Sequence, residues 1–187
     1  MRFDDEQYLK AWQQTKSYPK IHDNIFSICF NYCLGERFCD LGCSTGLLTQ
    51  RISETAGFCI GIEGSKTAIE LGKSYGIQPY IYNLRIEKST FEQVETILRE
   101  NNITVIAARR IMPELFGHDL PLGIEFSRLC YEAGIKTIIL QGRLDSKDAK
   151  NPLHNIDNEI KLFEFKYKLI HQIGQVAVLK SKKHATV

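Results

Sequence analysis

Residues 37–46 decide the fold, and they read RFCDLGCSTG. The first five are apolar apart from Arg37 and Asp40, as in a short buried strand. Gly42 and Gly46 follow, and because glycine has no Cβ, the backbone can turn sharply there and a ligand can approach it closely. The residues beyond continue as a helix, whose first N–H groups have no partner within the helix. The stretch therefore predicts a strand, a tight loop and a helix N-terminus that together bind a ligand.

The sequence after this loop alternates between apolar runs and segments with apolar residues at helical spacing. This alternation is typical of right-handed βαβ units and of a parallel sheet covered on both faces. The predicted strands are 37–41, 58–62, 77–82, 103–108 and 136–141. The predicted helices are 45–55, one capped by Ser65, one with Phe91, Val94, Ile97 and Leu98, and one with Leu122, Phe126, Leu129, Cys130 and Ala133 that Gly134 ends.

The end of the chain has a different pattern. Residues 145–151 are polar and predict a loop, and a short helix is predicted after Pro152. Apolar and charged residues alternate over 163–169, which predicts a half-exposed strand at the edge of the sheet. A turn at Gly174 and a last strand over 175–180 complete the pattern. The chain therefore predicts a seven-stranded, mostly parallel α/β sheet with helices on both faces and a terminal antiparallel β-hairpin.

Two helices are predicted before the first strand, one over residues 5–16 and one after Pro19. The interpretation is a single domain over 1–187, in which 1–35 form a helical cover and 36–187 form the ligand-binding core. The residues that could line the cleft, or serve only as core, are Tyr8, Trp12, Tyr18, Lys20 and His22.

Composition fits one globular domain. The chain has 187 residues, of which 43% are hydrophobic and 25% charged, with a net charge of +2. This excludes a disordered chain, and the charge is too small to indicate nucleic-acid binding by itself. No apolar run is long enough to cross a bilayer, and no secretory leader is recognisable, so a cytoplasmic location and no membrane contact are expected.

The six cysteines are expected to be reduced. Cys29, Cys33, Cys39 and Cys43 form two pairs whose spacing is wider than that of most structural zinc sites, and Cys39 lies within a predicted strand. Small buried side chains are therefore favoured over a metal site, and no metal is expected.

Two kinds of nucleotide-like ligand use a glycine-rich turn after the first strand. The dinucleotide pattern G-x-G-x-x-G, started at Gly42, requires glycine at positions that hold Ser44 and Leu47. The alternative spacing, acidic-x-Gly-x-x-x-Gly, is satisfied by Asp40, Gly42 and Gly46. The dinucleotide interpretation, an NAD(P)-dependent oxidoreductase, is thus disfavoured.

Residues 40–46 resemble the first motif of the class I S-adenosylmethionine-dependent methyltransferases, with Ser44 where a middle glycine is common. The resemblance is sharp over 38–64 and extends over 37–180 at the level of the fold, which it implies is Rossmann-like. It implies S-adenosyl-L-methionine as cofactor, bound by the backbone of the turn through Gly42, Ser44, Thr45 and Gly46. A carboxylate at Asp40 would attract the amino end of this cofactor.

Two further strand ends fit the same cofactor. Glu63 follows the second strand, where an acid can accept two hydrogen bonds from a ribose diol. NAD enzymes use the same device, so Glu63 alone does not distinguish the two classes. In the resembled family, the position of Asn83 and the backbone of Leu84 would meet the adenine, although a plain turn asparagine is the alternative.

The acceptor of the methyl group is not identified by any motif. The fourth strand leads into Arg109 and Arg110, which can bind an anionic acceptor, either a small metabolite or a nucleic acid, or can pair with a nearby acid. Glu114, His118 and Asp119 are predicted in a loop and could form an acid/base pair, of which Glu114 and His118 are the other candidates for catalysis. Because no acceptor motif is present, a cofactor-binding regulatory or partner protein without methyl transfer is the competing hypothesis.

Overall fold

The computed structural model describes residues 18–117, 119–144 and 155–183, with side chains from residue 23 onward. Its strands are β1 (Arg37–Leu41), β2 (Phe58–Glu63), β3 (Ile81–Asn83), β4 (Val105–Arg109), β5 (Thr137–Gln141), β6 (Tyr167–Ile173) and β7 (Val176–Ser181). Its α-helices are α1 (Tyr18–Cys33), α2 (Leu47–Ser53), α3 (Lys66–Ser74), α4 (Phe91–Glu100), α5 (Met112–Phe116), α6 (Leu120–Glu132) and α7 (Ile156–Phe163).

The seven strands form one sheet in the order β3-β2-β1-β4-β5-β7-β6. The first five are parallel, and β7 pairs antiparallel with both β5 and β6. Asp40 is level with Gly61 on one neighbouring strand and with Ala107 on the other. The carboxyl ends of β1, β2 and β4 therefore meet at one edge, which is where open α/β sheets bind ligands. The predicted α/β fold class is confirmed.

The core has two layers, one on each face of the sheet. In β4, Ile106 and Ala108 pack with helices α4 to α7, whereas Val105 and Ala107 pack with α1 and α2. A strand buried on both faces must be apolar throughout, which explains the unbroken apolar runs of the sequence. The buried side chains of α1, among them Ile25, lie in this second layer against the sheet.

Several predicted boundaries are wrong although the elements exist. The third strand starts at Ile81, and residues 77–80 only approach the sheet, since Gly61 N donates to the carbonyl of Tyr80. The strand predicted over 163–169 starts at Tyr167, because Phe163 belongs to the buried face of α7. The apolar-polar alternation over 163–169 therefore predicted the wrong start for this strand. Phe165, one of the alternating apolar residues, precedes the strand and is 65% exposed.

The predicted turn, helix cap and later helix are present in the structure. The turn at Gly174 is confirmed, with φ 53°. The Ser65 cap is confirmed as well, since its hydroxyl accepts a hydrogen bond from Ala68 N. The helix expected after Pro152 begins at Ile156. The predicted helix over 5–16 and the loop over 145–151 lie outside the described residues.

The cysteines are buried, except for the half-buried Cys59, and none forms a disulfide. Burial raises the pKa of the Cys39 thiol well above its usual value. Within the described residues, no group of three or more His, Cys, Asp or Glu side chains could hold a metal ion. In the same part of the chain, no helix combines the length and apolar character that a membrane span requires.

Candidate functional site

The loop between β1 and α2 has an unusual backbone. Gly42, Ser44 and Gly46 have φ values of 64°, 54° and 82°. Glycine adopts this left-handed region freely, whereas serine does so at a cost. The loop is tied to the end of β2, since Gly42 N and Cys43 N both donate to the carbonyl of Ile62, at 2.8 and 3.2 Å. Ser44 thus keeps the conformation that a middle glycine would have.

The neighbouring elements leave no room for a side chain at the two glycines of this loop. A Cβ at Gly42 would occupy the space of the Ile111 side chain, and a Cβ at Gly46 would lie 2.7 Å from Pro79 Cγ. Helix α3 packs equally closely, because a Cβ at Gly72 would collide with the Thr45 carbonyl. The loop is therefore fixed from three sides, and its shape requires the glycines that the sequence provides.

Glu63 connects the loop to the next turn. Its Oε2 accepts a hydrogen bond from Ser44 N at 2.8 Å, and its Oε1 accepts one from Ser65 N at 2.7 Å. The side chain is half-buried. Each carboxylate oxygen can accept a second hydrogen bond, so ribose hydroxyls remain compatible with these contacts. The sequence did not reveal that Glu63 also positions the loop itself.

Asp40 lies deeper than predicted. It is 2% exposed, and its Oδ2 accepts a hydrogen bond from Thr49 Oγ1 at 2.9 Å. Burial raises the pKa of Asp40 to about 7, although the Thr49 hydroxyl and the Arg109 charge both lower it. In this structure the hydrogen bond between Asp40 and Thr49 links β1 to α2. Its predicted attraction for the amino end of the cofactor stays a prediction.

Asn83 and Leu84 lie beside Glu63, as their positions at the end of β3 require. Asn83 Nδ2 and Leu84 N both donate to the backbone carbonyl of Glu63, each at 3.0 Å. The side chain of Asn83 is exposed. Contact of these two residues with an adenine stays a prediction. Leu84 N already donates to the Glu63 carbonyl, so it would have to donate to the adenine ring as well.

The two arginines after β4 separate. Arg109 ends β4, level with Gln141, and lies close enough to lower the pKa values of Asp40 and Glu114. Arg110 turns towards β7, with φ 54°, and its Nη2 donates to Gln175 Oε1 at 3.2 Å. Of the two arginines, Arg109 is therefore the one whose charge lowers the pKa of Asp40 in β1.

Glu114 lies on the short helix α5, so its predicted placement in a loop is wrong. Pro113, which can occupy the first turn of a helix without losing a hydrogen bond, explains why this segment is helical. The residue is exposed, but desolvation of its carboxyl and the nearby Glu63 charge raise the pKa of Glu114. Asp119 accepts a hydrogen bond from Leu122 N and caps α6. His118 lies outside the described residues.

A pocket of about 110 Å³ lies above the ends of β4 and β5. Glu159, which the sequence analysis missed, is 0% exposed there, and neither of its oxygens has a hydrogen-bond partner within the described residues. Burial raises the pKa of Glu159 to about 8, and the charge of Arg110 lowers it. No sequence pattern marks Glu159, since it resembles any charged residue of an amphipathic helix. The pocket is lined by Arg110, Pro113, Glu114, Gly142, Arg143 and Glu159.

The sequence matches no protein-family model and no curated protein. The fold matches many solved structures. A SAM-dependent methyltransferase from Aquifex aeolicus is 14% identical, with a TM-score of 0.63, and the match covers 96% of this chain and 98% of that one. The N-methyltransferase NodS from Bradyrhizobium japonicum WM9 is 10% identical, with a TM-score of 0.63, and the match covers 90% of this chain and 98% of that one.

Magnesium protoporphyrin IX methyltransferase (ChlM) from Synechocystis PCC 6803, solved with bound SAM, is 11% identical with a TM-score of 0.57. That match covers 88% of this chain and 79% of the other. Several other matching structures are longer, and the chain covers only 39% to 41% of their length. These likenesses confirm the class I methyltransferase fold.

The residues around the loop fit the cofactor that this fold implies. Gly42 and Gly46 have no side chain where a Cβ would collide with neighbouring residues, and Glu63 places a carboxylate beside the loop at the end of β2. Backbone and carboxylate together provide the contacts that a ribose and a methionine backbone require. The fit does not depend on a pyrophosphate site, for which the glycines at positions 44 and 47 are missing.

Proposed function

We propose that this chain is an S-adenosylmethionine-dependent methyltransferase. The observation that carries the proposal is the position of the Glu63 carboxylate at the end of β2, where it accepts hydrogen bonds from Ser44 N of the glycine loop and from Ser65 N. The fold shared with SAM-dependent methyltransferases supports the same conclusion. The cofactor-binding residues in this proposal are Asp40, Gly42, Ser44, Thr45, Gly46, Glu63, Asn83 and Leu84.

When bound, the cofactor supplies an activated methyl group, so the protein mainly has to align an acceptor with it. The segment after β4 is suited to this task, because Ile111 packs on Gly42 and Glu114 lies near the charge of Glu63. Arg109, Glu114 and His118 are the proposed acceptor-side residues. Arg109 adds a positive charge beside Asp40, and Glu114 is a carboxyl whose pKa is raised by desolvation and by the nearby Glu63 charge, as expected of a group that transfers a proton.

Isothermal titration calorimetry with S-adenosylmethionine, S-adenosylhomocysteine and NAD tests the cofactor assignment. We expect both adenosyl compounds to bind and NAD to bind at least tenfold more weakly. Absence of binding by either adenosyl compound would refute the proposal. Transfer of an isotope-labelled methyl group to a panel of small amines, acids and RNA then distinguishes an enzyme from a cofactor-binding partner protein, which would label none of them.

A further inference from the structure

The pocket beside Glu159 lies where an acceptor would have to bind. Its floor is formed by the residues that follow β4 and β5, Arg110 and Gly142, one strand away from the cofactor loop. Ile111, which follows Arg110, packs on Gly42. One wall of the pocket is thus continuous with the segment that touches the cofactor loop.

Helix α7 places the Glu159 side chain in the pocket. Ile156, Ile160 and Phe163 form the buried face of α7, and Glu159 lies on that same face with 0% exposure. Position 142 is a glycine, and a Cβ there would lie 2.6 Å from Glu159 Oε1. The missing side chain therefore makes the space that the carboxyl occupies.

Within the described residues, no hydrogen bond reaches either oxygen of Glu159. Leaving such a group unsatisfied costs about 1–3 kcal/mol or more, so native proteins keep few of them, and each requires an explanation. A ligand that donates a hydrogen bond from nitrogen would provide the missing partner.

The other charges in the pocket restrict the ligand further. Arg110 and Arg143 contribute two positive charges, and Glu114 and Glu159 can contribute two negative ones. Arg110 acts on Glu159 through its charge, while its Nη2 donates to Gln175. A purely anionic acceptor would meet the two carboxyls, whereas a polar acceptor that carries an amine matches both signs of charge.

We propose that this pocket is the acceptor subsite and that Glu159 positions the acceptor by binding an amine nitrogen. The proposal rests on the methyltransferase function proposed above. A volume of about 110 Å³ admits a group of a few heavy atoms, such as an aminomethyl or aminoethyl group, and the rest of the acceptor extends out of the pocket.

Ethylamine is a probe of the right size, and ethanol and acetate are matched controls without a cationic nitrogen. Protein labelled with ¹³C at the glutamate carboxyls is titrated with each probe at pH 7, with and without S-adenosylhomocysteine. The Glu159 resonance is assigned by its absence in Glu159→Gln. We expect ethylamine to move this resonance to its ionised position and to bind at least tenfold more tightly than ethanol or acetate.

The Glu159→Gln variant should lose this preference for ethylamine, and Glu164→Gln, an exposed acid just beyond α7, should retain it. If Glu159→Gln fails to fold, Gly142→Ala tests the same contact, since its Cβ would intrude on Oε1 and weaken ethylamine binding at least threefold. Equal affinity for ethylamine and ethanol, or unchanged ethylamine binding in both variants, would overturn the proposal. Because the titration is also done without cofactor, it is independent of whether S-adenosylhomocysteine binds.

Discussion

Two carboxyls at the same edge of the sheet have opposite surroundings. Glu63, at the end of β2, is half-buried, and each of its oxygens accepts a backbone hydrogen bond. Glu159, beside the ends of β4 and β5, is fully buried, and within the described residues neither of its oxygens has a hydrogen-bond partner. The carboxylate of Glu63, in the proposed cofactor half of the site, is oriented by backbone N–H groups of the protein. In the proposed acceptor half, the described residues leave a buried carboxyl without a hydrogen bond.

The largest expected effect concerns the pH dependence of stability at Glu159. The folded chain holds the proton of this carboxyl up to about pH 8, whereas an unfolded chain releases it near 4.5. Stability conferred by the protonated form is therefore lost as the pH rises through this window. At about 1.4 kcal/mol for each pKa unit, wild type should lose up to about 4 kcal/mol more than Glu159→Gln between pH 5 and pH 8.

Urea denaturation of both proteins at pH 5 and pH 8 measures this difference, with Glu164→Gln as the exposed control. Parallel pH profiles for wild type and Glu159→Gln would mean that Glu159 is hydrated or paired. The contrast with Glu63 would then disappear.

The second effect tests the rigidity of the cofactor loop. Gly42→Ala places a Cβ in a left-handed conformation and against Ile111, which should cost about 2–3 kcal/mol in the free energy of unfolding. Gly174→Ala is a matched control, because its φ is also positive but a Cβ there meets no atom within 4 Å. Chemical denaturation should find the first variant clearly less stable than the second. Equal losses would show that the packing on Gly42 is loose.

The third effect concerns Arg109, which lies between the two halves. Arg109→Ala should reduce methyl transfer to an acceptor found in the labelling panel by about tenfold, or about 1.4 kcal/mol. The calorimetric affinity for S-adenosylhomocysteine should stay within about threefold of wild type, since Arg109 ends β4 and lies outside the proposed cofactor-binding residues. A collapse of cofactor affinity instead would place Arg109 in the cofactor half.

The smallest effect is expected at Ser44. Its φ of 54° is unfavourable for serine and easy for glycine, whereas its N–H bond to Glu63 needs no side chain. Ser44→Gly should therefore raise the free energy of unfolding by up to about 1 kcal/mol while cofactor affinity is preserved. Thermal denaturation and calorimetry on the same samples measure both. A loss of stability would indicate that the serine hydroxyl has a structural role.

The sequence predicted the loop at 42–46 better than it predicted the pocket beside Glu159, for a physical reason. The loop at 42–46 needs glycine and an adjacent acid, and these requirements leave a readable spacing. Glu159 and Ile111 act through contacts between elements far apart in the chain, which no local pattern encodes. The fold class followed from apolar periodicity, but the start of β6 did not, because alternating residues also occur where α7 ends.

The most direct test of the cofactor assignment is the calorimetric affinity of Glu63→Ala for S-adenosylmethionine. Removing a carboxylate that accepts hydrogen bonds from Ser44 N and Ser65 N, and that we propose to bind the ribose diol, should weaken binding by about 1–3 kcal/mol. Glu132→Ala, an exposed acid at the end of α6, should bind as wild type does. An unchanged dissociation constant for Glu63→Ala, with wild type binding the cofactor, would contradict the assignment of the site.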